Sequence, residues 1–487
     1  MHEHYDVLIL GAGLSGIGMA CHLTRQCPDL NFALLERRQA IGGTWDLFRY
    51  PGIRSDSDMF SFGYEFRPWN ELKVLADGPS IKHYIIDTAR AFGIEERIRF
   101  GVEARTTNWR SEHQHWAVTG YHSQSGDERT YTCNYLVVCT GYYRYSAGYL
   151  PDFPGIERFQ GRCIHPQQWP EGLDYRGKQV VVIGSGATAM TLVPAMAADT
   201  ARITLLQRSP SYVFALPSYD AVSAALLKVL PEKWVYQLAR QRNILLQLAI
   251  YKGARRFPSA TRRLLLRHAR KQLGKDFEPR HFTPRYNPWD QRICPVPDGN
   301  LFKVLRAGQA SIETDEIDTF TETGVRLKSG KDLPADIVIT ATGLQIELMG
   351  GMAVSLDGHP CDLSERLTYK GVLVEGLPNL GWIFGYTNAS WTLKADLAAN
   401  YLCRLLNHMQ LNNLQEFVPR DREGSATERS VMDSLSSGYI RRASGILPRQ
   451  GARLPWRVLN DYGKDRSMLL NDPIDDGYLE FSPTSAG

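Results

Sequence analysis

The stretch Asp6-Val-Leu-Ile-Leu-Gly-Ala-Gly-Leu-Ser-Gly16 decides the fold, because it joins a short apolar run to a glycine loop. An uninterrupted apolar run of this length is typical of a parallel strand that is buried on both faces. Gly11, Gly13 and Gly16 allow a tight turn and let a pyrophosphate approach the N-terminus of a following helix. The stretch therefore predicts a βαβ unit that binds a dinucleotide.

The residues that follow complete this unit. We expect a helix from about Ser15 to Gln26 and a second strand over Phe32–Glu36. Glu36 lies 25 residues after Gly11, at the position where a carboxylate accepts hydrogen bonds from both ribose hydroxyls. The first unit is therefore predicted to bind an unphosphorylated ribose, as in FAD.

A second unit repeats this plan with one difference at the ribose position. A strand over Gln179–Ile183 precedes the loop Gly184-Ser-Gly-Ala-Thr-Ala189, and the next strand, Ala201–Leu206, is followed by Gln207-Arg-Ser-Pro210 without an acidic residue. Arginine suits a 2′-phosphate, which indicates NADPH. Arg208 as a solvated strand-end cation is the alternative. The residues predicted to hold this dinucleotide are Gly184, Gly186, Thr188 and Arg208.

Length and composition limit the other possibilities. A chain of 487 residues is too long for one core, and 43% hydrophobic with 22% charged residues is ordinary for a globular protein. The net charge of +4 does not indicate a nucleic acid partner. Eight cysteines without ligand spacing predict no metal site. The absence of a signal peptide and of an apolar run of membrane-spanning length predicts a reduced, cytoplasmic protein.

The segment Phe159-Gln-Gly-Arg-Cys-Ile-His-Pro-Gln-Gln-Trp-Pro170 lies between the two glycine loops and matches the pattern F-x-G-x-x-x-H-x-x-x-W-P. On this segment and the two loops, the chain resembles the Baeyer–Villiger monooxygenases. The resemblance implies an α/β fold with two Rossmann-like domains, one for FAD and one for NADPH. It also implies conversion of ketones into esters or lactones with O2. In this interpretation His165 is a hinge or interdomain residue, and general acid–base catalysis by it is the less favoured role.

The resemblance also implies a discontinuous domain organisation. Two apolar strands end in Thr140-Gly141 and Thr342-Gly343, where the chain is expected to cross between domains. The expected domains are 1–148 with 346–487 for FAD, 149–214 with 281–345 for NADPH, and 215–280 as a helical insertion in the NADPH domain. Helical periods appear over Ala221–Leu230, Ala239–Lys252 and Arg255–Lys275. We expect their apolar faces to be buried, and the alternative is peripheral membrane contact through 219–275.

The stretch Gly42-Gly-Thr-Trp-Asp-Leu-Phe-Arg-Tyr-Pro-Gly-Ile-Arg-Ser-Asp-Ser-Asp58 resembles the family's pattern G-G-T-W…R-Y-P-G-x-R-x-D. The resemblance places Thr44 and Trp45 at the flavin and Asp56 in the active site. Asp58 is the alternative to Asp56, and either could be an ordinary loop carboxylate. A buried carboxylate of this kind orients a catalytic arginine.

The arginine that matches the family's position is Arg292, in Tyr286-Asn-Pro-Trp-Asp-Gln-Arg-Ile-Cys-Pro295. Relatives often have Lys-Arg where this chain has Gln291-Arg292, and a surface arginine is the alternative. In the family, reduced flavin and O2 form a C4a-peroxide that must stay deprotonated to attack a ketone. A guanidinium that is always charged can hold both this anion and the substrate oxygen.

The segment Gly385-Tyr-Thr-Asn-Ala-Ser-Trp-Thr-Leu-Lys-Ala-Asp396 resembles the ethionamide-activating monooxygenases, which oxygenate ketones and also sulfur. A helix that begins near Asn388 or Ser390 would point its N-terminus at the flavin, so Asn388 is a predicted cofactor residue. The expected substrate is a small ketone or sulfide. Neither the oligomeric state nor a role for the C-terminal stretch follows from the sequence.

Three other functions stay open. A flavin monooxygenase that acts mainly on sulfur or nitrogen would depend less on Arg292. A non-oxygenating pyridine-nucleotide disulfide reductase would need a pair of redox cysteines with C-x₂₋₄-C spacing, which the eight cysteines do not supply. A non-catalytic binding protein is difficult to reconcile with two intact nucleotide loops.

Overall fold

A computed structural model of the chain describes residues 3–483. It contains two sheets with parallel cores, which confirms the predicted α/β fold with two dinucleotide-binding units. Each unit begins with the apolar strand and glycine loop that the sequence predicted. In both units the strand following the helix pairs in parallel with the first strand. No helix among residues 3–483 combines the length and apolar character needed to cross a membrane.

The first part of the chain builds most of the larger sheet. Its elements are β1 (Glu3–Leu10), α1 (Leu14–Gln26), β2 (Phe32–Glu36), α2 (Thr44–Leu47), α3 (Met59–Phe62), α4 (Gly78–Ala91), β3 (Ile98–Phe100), β4 (Val102–Arg110), β5 (His115–His122) and β6 (Glu128–Val138). Strands β3, β2, β1 and β6 lie side by side in parallel, and β4 and β5 extend the sheet as an antiparallel meander.

The second unit has a separate sheet, with strand order β12-β9-β8-β16-β7 and all neighbours parallel. Its region contains β7 (Arg162–Ile164), β8 (Gln179–Ile183), α5 (Ala187–Met196), β9 (Arg202–Gln207), β10 (Val213–Leu216), α6 (Ala221–Leu226), α7 (Glu232–Arg256), α8 (Pro258–Leu273), α9 (Pro279–Phe282), β11 (Cys294–Pro297), α10 (Asn300–Arg306), β12 (Ala310–Thr314), β13 (Ile317–Thr321), β14 (Gly324–Leu327), β15 (Asp332–Pro334) and β16 (Ile337–Thr340).

The last part of the chain returns to the larger sheet, where β17 pairs with β4 and β21 with β6. Its elements are β17 (Ala353–Leu356), β18 (His359–Pro360), β19 (Thr368–Tyr369), β20 (Leu373–Val374), β21 (Leu380–Trp382), α11 (Trp391–Leu411), β22 (Leu414–Pro419), β23 (Ala426–Ser430), α12 (Gly438–Arg442), β24 (Arg449–Gly451), α13 (Tyr462–Asn471) and β25 (Leu479–Pro483). Helix α11 packs against α1.

The two crossing segments run side by side. The Arg144 amide donates to the Gln345 carbonyl oxygen at 2.9 Å, and the Tyr149 amide donates to the Gly343 carbonyl oxygen at 3.0 Å. Gly343 has a φ of +105°, which favours glycine at this turn. The chain therefore leaves and re-enters the larger sheet through one paired connection.

The helices between β10 and β11 differ from the sequence-based expectation. Phe257 is not helical, and Pro258 opens α8, because proline is favoured in the first turn of a helix. The expectation that the apolar faces are buried holds only in part for α7. Val235, Tyr236 and Ala239 are buried, whereas Trp234 is 62% and Leu245 is 65% exposed. The same inner face also carries Asn243 and Gln247, which donate hydrogen bonds to Asp58.

Candidate active site

A cavity of about 310 Å³ lies at the carboxyl ends of β1 and β2 and extends to the start of α5. This volume is within the range of small-molecule and cofactor sites. Eight of the residues predicted from the sequence line it: Gly11, Gly13, Glu36, Thr44, Trp45, Asp56, Thr188 and Arg292. The fold therefore brings side chains from both units to one space.

The first glycine loop is closely packed behind this cavity. A Cβ atom on Gly16 would lie 1.8 Å from the Gly11 carbonyl oxygen, so only glycine fits there. Helix α1 begins after Gly13 without a side-chain cap. Its first N–H groups therefore have no side-chain acceptor and are suited to an anion.

Glu36 ends β2 at the cavity wall and is 4% exposed. Its Oε2 accepts a hydrogen bond from the Ala12 amide at 2.7 Å, and its Oε1 accepts one from the Arg38 amide at 2.8 Å. Burial raises the pKa of Glu36, the two backbone donors oppose this, and the net pKa lies above its ordinary value. The loop thus holds the carboxylate at the position expected for a ribose acceptor.

The second glycine loop is similar in its turn and more open at its helix. A Cβ atom on Gly184 would lie 2.3 Å from the Ala341 carbonyl oxygen, whereas one on Gly186 would have no atom within 4 Å. Helix α5 also begins without a side-chain cap. Thr188 lines the cavity, and Arg208 is exposed directly after β9. The structure therefore places Arg208 at an accessible strand end.

Asp56 and Arg292 form an ion pair in the cavity wall. The expectation of a buried carboxylate is wrong for Asp56, whose side chain is 38% exposed at the cavity. Arg292 Nη1 lies 3.2 Å from Asp56 Oδ2, although 236 residues separate them in sequence. Burial lowers the pKa of Arg292, but the Asp56 carboxylate raises it, and the net pKa lies above its ordinary value. Arg292 Nε is buried without a hydrogen-bond partner. The guanidinium therefore has unused donor capacity beside the cavity.

Asp58, the alternative to Asp56, has a different role in the structure. Its Oδ1 accepts a hydrogen bond from the Ser61 amide at 3.0 Å and thus caps α3. The same oxygen accepts a hydrogen bond from Asn243 Nδ2 at 2.8 Å, and the second oxygen accepts one from Gln247. Asp58 thus binds α7 to the loop that precedes α3. Of the two aspartates, Asp56 is the one that contacts Arg292.

A family match and a close relative in sequence identify the family of this chain. The flavin-binding monooxygenase-like family matches residues 4–349. This chain belongs to that family. It is 58% identical over 486 residues to MymA of Mycobacterium tuberculosis H37Rv, which is named as an FAD-containing monooxygenase, with 99% of this chain and 98% of MymA covered.

A second relative agrees with the predicted subgroup. The FAD-containing monooxygenase EthA of Mycolicibacterium smegmatis is 47% identical over 484 residues, with 99% of this chain and 98% of EthA covered. Among solved structures, an oxidised steroid monooxygenase bound to NADP has a TM-score of 0.79 at 20% identity. That comparison covers 99% of this chain and all of the other chain. The family and the fold are thus both established.

Sequence reasoning missed a cluster of tyrosines around Arg292 in this family member. The Tyr142 and Tyr143 hydroxyls lie 2.9 Å apart, and Tyr439 of α12 approaches from the C-terminal region. Burial raises the pKa of all three hydroxyls, so they stay protonated donors at neutral pH. Tyr142 and Tyr143 directly follow Thr140-Gly141, and this position at the predicted domain crossing is the sequence feature that could have indicated them.

Sequence reasoning also missed Asp46, which anchors α2. Lys82 Nζ donates to its Oδ1 and Arg38 Nε donates to its Oδ2, both at 2.6 Å. Burial raises the pKa of Asp46, but these two cations outweigh it and the net pKa is lowered. The ionised carboxylate thereby fixes Thr44 and Trp45 at the cavity.

The helix predicted near Asn388 or Ser390 begins at Trp391, with Ser390 as its cap residue. Ala389 and Trp391 line the cavity, whereas the Asn388 side chain donates to the Asn460 carbonyl oxygen at 2.9 Å. Three buried oxygens here lack partners, namely Asn388 Oδ1, Ser390 Oγ and Thr392 Oγ1. Such unsatisfied acceptors fit a polar ligand at the start of α11.

His165 lies at the paired crossing and is not among the residues that line the cavity. Its ring Nε2 is 3.0 Å from the Gly343 carbonyl oxygen, and its Nδ1 accepts from the Gln167 amide at 3.2 Å. This pattern requires a neutral ring with the proton on Nε2. Burial lowers the pKa of His165, which favours the same neutral form.

Proposed function

We propose that this protein is an FAD- and NADPH-dependent Baeyer–Villiger monooxygenase. A ketone, O2, NADPH and a proton give an ester or lactone, water and NADP⁺. The observation that carries the proposal is the Asp56–Arg292 pair, in a cavity that runs from the first glycine loop to Thr188 of the second unit. The eight cysteines are free thiols, which suits the reducing cytoplasm that we propose as its location.

The residues present fit both cofactors. The uncapped start of α1 and the buried Glu36 suit the pyrophosphate and ribose of FAD, and the unpartnered oxygens before and within the first turn of α11 suit its polar ring. The uncapped start of α5 and the exposed Arg208 suit the pyrophosphate and 2′-phosphate of NADPH. The domain boundaries predicted above belong to the same proposal.

Bound FAD, once reduced by NADPH, supplies the activated oxygen atom. Arg292 binds the substrate carbonyl oxygen and stabilises the negative charge that develops on it. Asp56 fixes the orientation of the guanidinium through one oxygen, which leaves the remaining N–H groups for the substrate. The protonated tyrosine cluster supplies further donors and excludes water from the same wall.

Sulfur oxidation is proposed as a side activity. A thioether accepts an oxygen atom without forming an anionic tetrahedral intermediate, so it needs less charge stabilisation from Arg292. The two substrate classes therefore provide an internal comparison for the role of this residue.

The decisive experiment is Arg292→Ala with a simple methyl ketone and NADPH under air. We expect ester formation to fall by about 100- to 1,000-fold, as for loss of one strong donor to a developing oxyanion. Asp56→Asn should cause a smaller loss, because the guanidinium stays but is less well oriented. Products are measured by gas chromatography, and flavin content by visible absorbance.

Arg285→Ala is the matched control, since this exposed arginine lies seven residues before Arg292. It should leave ester formation unchanged. Unchanged ester formation in Arg292→Ala would show that Arg292 is not the arginine that stabilises the developing negative charge. Sulfoxide without any ester in the unaltered protein would favour a sulfur- or nitrogen-oxidising enzyme instead.

A further inference from the structure

The exposed apolar side chains of this protein are concentrated in one region. Seventeen large hydrophobic side chains are exposed within residues 3–483, and twelve of them lie between Tyr219 and Leu264. Monomeric proteins rarely expose apolar residues in such a concentration without an interaction partner. The region needs a partner with an apolar surface.

The same region carries an unusual charge. Residues 219–275 contain thirteen lysines and arginines against two acidic residues, Asp220 and Glu232, which is a net charge of +11. The whole chain has a net charge of only +4, so the remaining residues have a net charge of −7. The partner is therefore expected to be anionic.

Helix α7 turns its apolar side outward. Trp234, Leu238 and Leu245 follow the spacing i, i+4, i+11 and thus share one face, and each is at least 49% exposed. On the opposite face, Arg240 donates to the Phe60 and Gly63 carbonyl oxygens at 2.9 and 2.8 Å. The apolar stripe is therefore separate from the core-facing side, which already buries Val235 and Tyr236 together with Arg240.

Helix α8 adds the cationic component. Arg263, Arg267, Arg270 and Lys271 recur at helical spacing and are all exposed, with Leu264 beside them at 67% exposed. Helix α8 packs against α7. Basic side chains next to exposed tryptophan and leucine are the composition of a helix that lies in a membrane interface.

We propose that α6, α7 and α8 form a docking surface for an anionic phospholipid membrane. A second copy of the chain is disfavoured, because the exposed cations of α8 on the two copies would repel each other. A nucleic acid would satisfy the arginines but leave the apolar stripe in water. An anionic bilayer satisfies both, since lipid phosphates face the cations and the apolar side chains enter the interface.

The inner face of α7 connects this surface to the candidate active site. Asn243 and Gln247 bind Asp58, two residues after Asp56. Arg255 Nη1 pairs with Asp290 Oδ1 at 2.6 Å, two residues before Arg292. A docked membrane would thus contact the helix that holds both segments of the ion pair.

The test measures the flavin-loaded protein on vesicles. Phosphatidylcholine vesicles with and without phosphatidylglycerol are pelleted, and bound protein is quantified. We expect binding only with phosphatidylglycerol and a loss of binding at high salt. The triple variant Trp234→Gln, Leu238→Gln, Leu245→Gln should bind at least tenfold more weakly. Glutamine keeps the helix propensity, and circular dichroism with flavin content verifies the fold.

Matched controls replace exposed residues outside the region. Leu150→Gln, Leu411→Gln, Ile446→Gln should bind like the unaltered protein. Arg263→Glu, Arg267→Glu should lose binding, whereas Arg129→Glu, Arg202→Glu should retain it. Equal binding of the apolar variant and its control would overturn the proposal, as would the absence of vesicle binding. Sedimentation velocity that shows an oligomer dissociated by the apolar variant would assign the surface to a second copy instead.

Discussion

The two dinucleotide units follow one plan but differ in how far they enclose their loops. At the start of α1, a Cβ atom on Gly13 would lie 3.4 Å from the Gly43 backbone, whereas one on Gly186 at the start of α5 would meet nothing within 4 Å. At the ribose position, Glu36 is 4% exposed and Arg208 is exposed. The first unit thus encloses its loop and its ribose position, whereas the second leaves both open, and the two are called the closed and the open unit below.

The largest expected difference comes from adding one methyl group to each loop. Gly16→Ala places a Cβ atom 1.8 Å from the Gly11 carbonyl oxygen, so the loop must move. Overpacking of this kind costs about 1–3 kcal/mol or more, and we expect purified Gly16→Ala to contain little or no FAD. Gly186→Ala meets no atom and should keep normal flavin content and thermal stability. Visible absorbance and thermal unfolding measure both.

Gly186→Ala is thereby the matched control for Gly16→Ala. Its remaining effect should be on NADPH, because the added methyl group faces the open side where the pyrophosphate is expected. A raised KM for NADPH with unchanged flavin content would support the comparison. Loss of flavin from Gly186→Ala, or full flavin content in Gly16→Ala, would contradict it.

The next effect concerns the ribose position of the open unit. Arg208→Gln removes the cation proposed to bind the 2′-phosphate. A charge-assisted hydrogen bond contributes about 1.5–3 kcal/mol, which corresponds to a rise of about 10- to 100-fold in the KM for NADPH. The KM for NADH should not change, because NADH lacks the phosphate. Steady-state oxidation of NADPH and of NADH gives the ratio of the two KM values.

Arg202→Gln supplies the control, since Arg202 is an exposed arginine at the opposite end of β9. It should leave the preference between the two nucleotides unaltered. If Arg208→Gln weakened NADPH and NADH equally, Arg208 would be a solvated cation, and the proposed difference between the units would lose its chemical basis.

The sequence predicted those parts of the fold that depend on local pattern. The strands β1, β2 and β8 and their glycine loops follow from apolar runs and turn chemistry within about 35 residues. The family motif register paired Asp56 with Arg292, and the structure places their side chains in contact across 236 residues. Motif register succeeds here because each of the two residues lies in a stretch that matches a family pattern.

The features that sequence reasoning missed depend on distant partners. Helix α7 packs on the protein through a face that buries Tyr236 and places Arg240 and Asn243 against α3 and Asp58, so its apolar stripe is left outward. Tyr439 reaches Arg292 only through the packing of α12, which carries no motif. Periodicity predicts a helix with an apolar face, but it does not say which face meets the rest of the protein.

The smallest predicted effect lies at the connection between the closed and the open unit. Burial lowers the pKa of His165 below its ordinary value of 6.5. As the pH falls through 6.5, the unfolded chain binds a proton that folded His165 does not, so the free energy of unfolding decreases. The loss is complete only below the lowered pKa of the folded state. The unaltered protein should therefore lose thermal stability between about pH 7.5 and pH 5.5 more steeply than His165→Gln.

Glutamine can retain a donor near the Gly343 carbonyl oxygen but has no group that titrates in this range, so it separates the proton from the hydrogen bond. The cost of imperfect replacement at neutral pH should be about 1 kcal/mol, the contribution of one hydrogen bond. His83→Gln is the control, because His83 is 75% exposed and should leave the pH dependence of the melting temperature unchanged. If the melting temperatures of His165→Gln and the unaltered protein changed in parallel with pH, His165 would not be the group that makes stability depend on pH.

The same variant tests whether His165 is a general base, because loss of a general base lowers kcat. We expect the kcat of His165→Gln to stay within about threefold of the unaltered value, since His165 hydrogen-bonds to Gly343 at the crossing and is not among the residues that line the cavity.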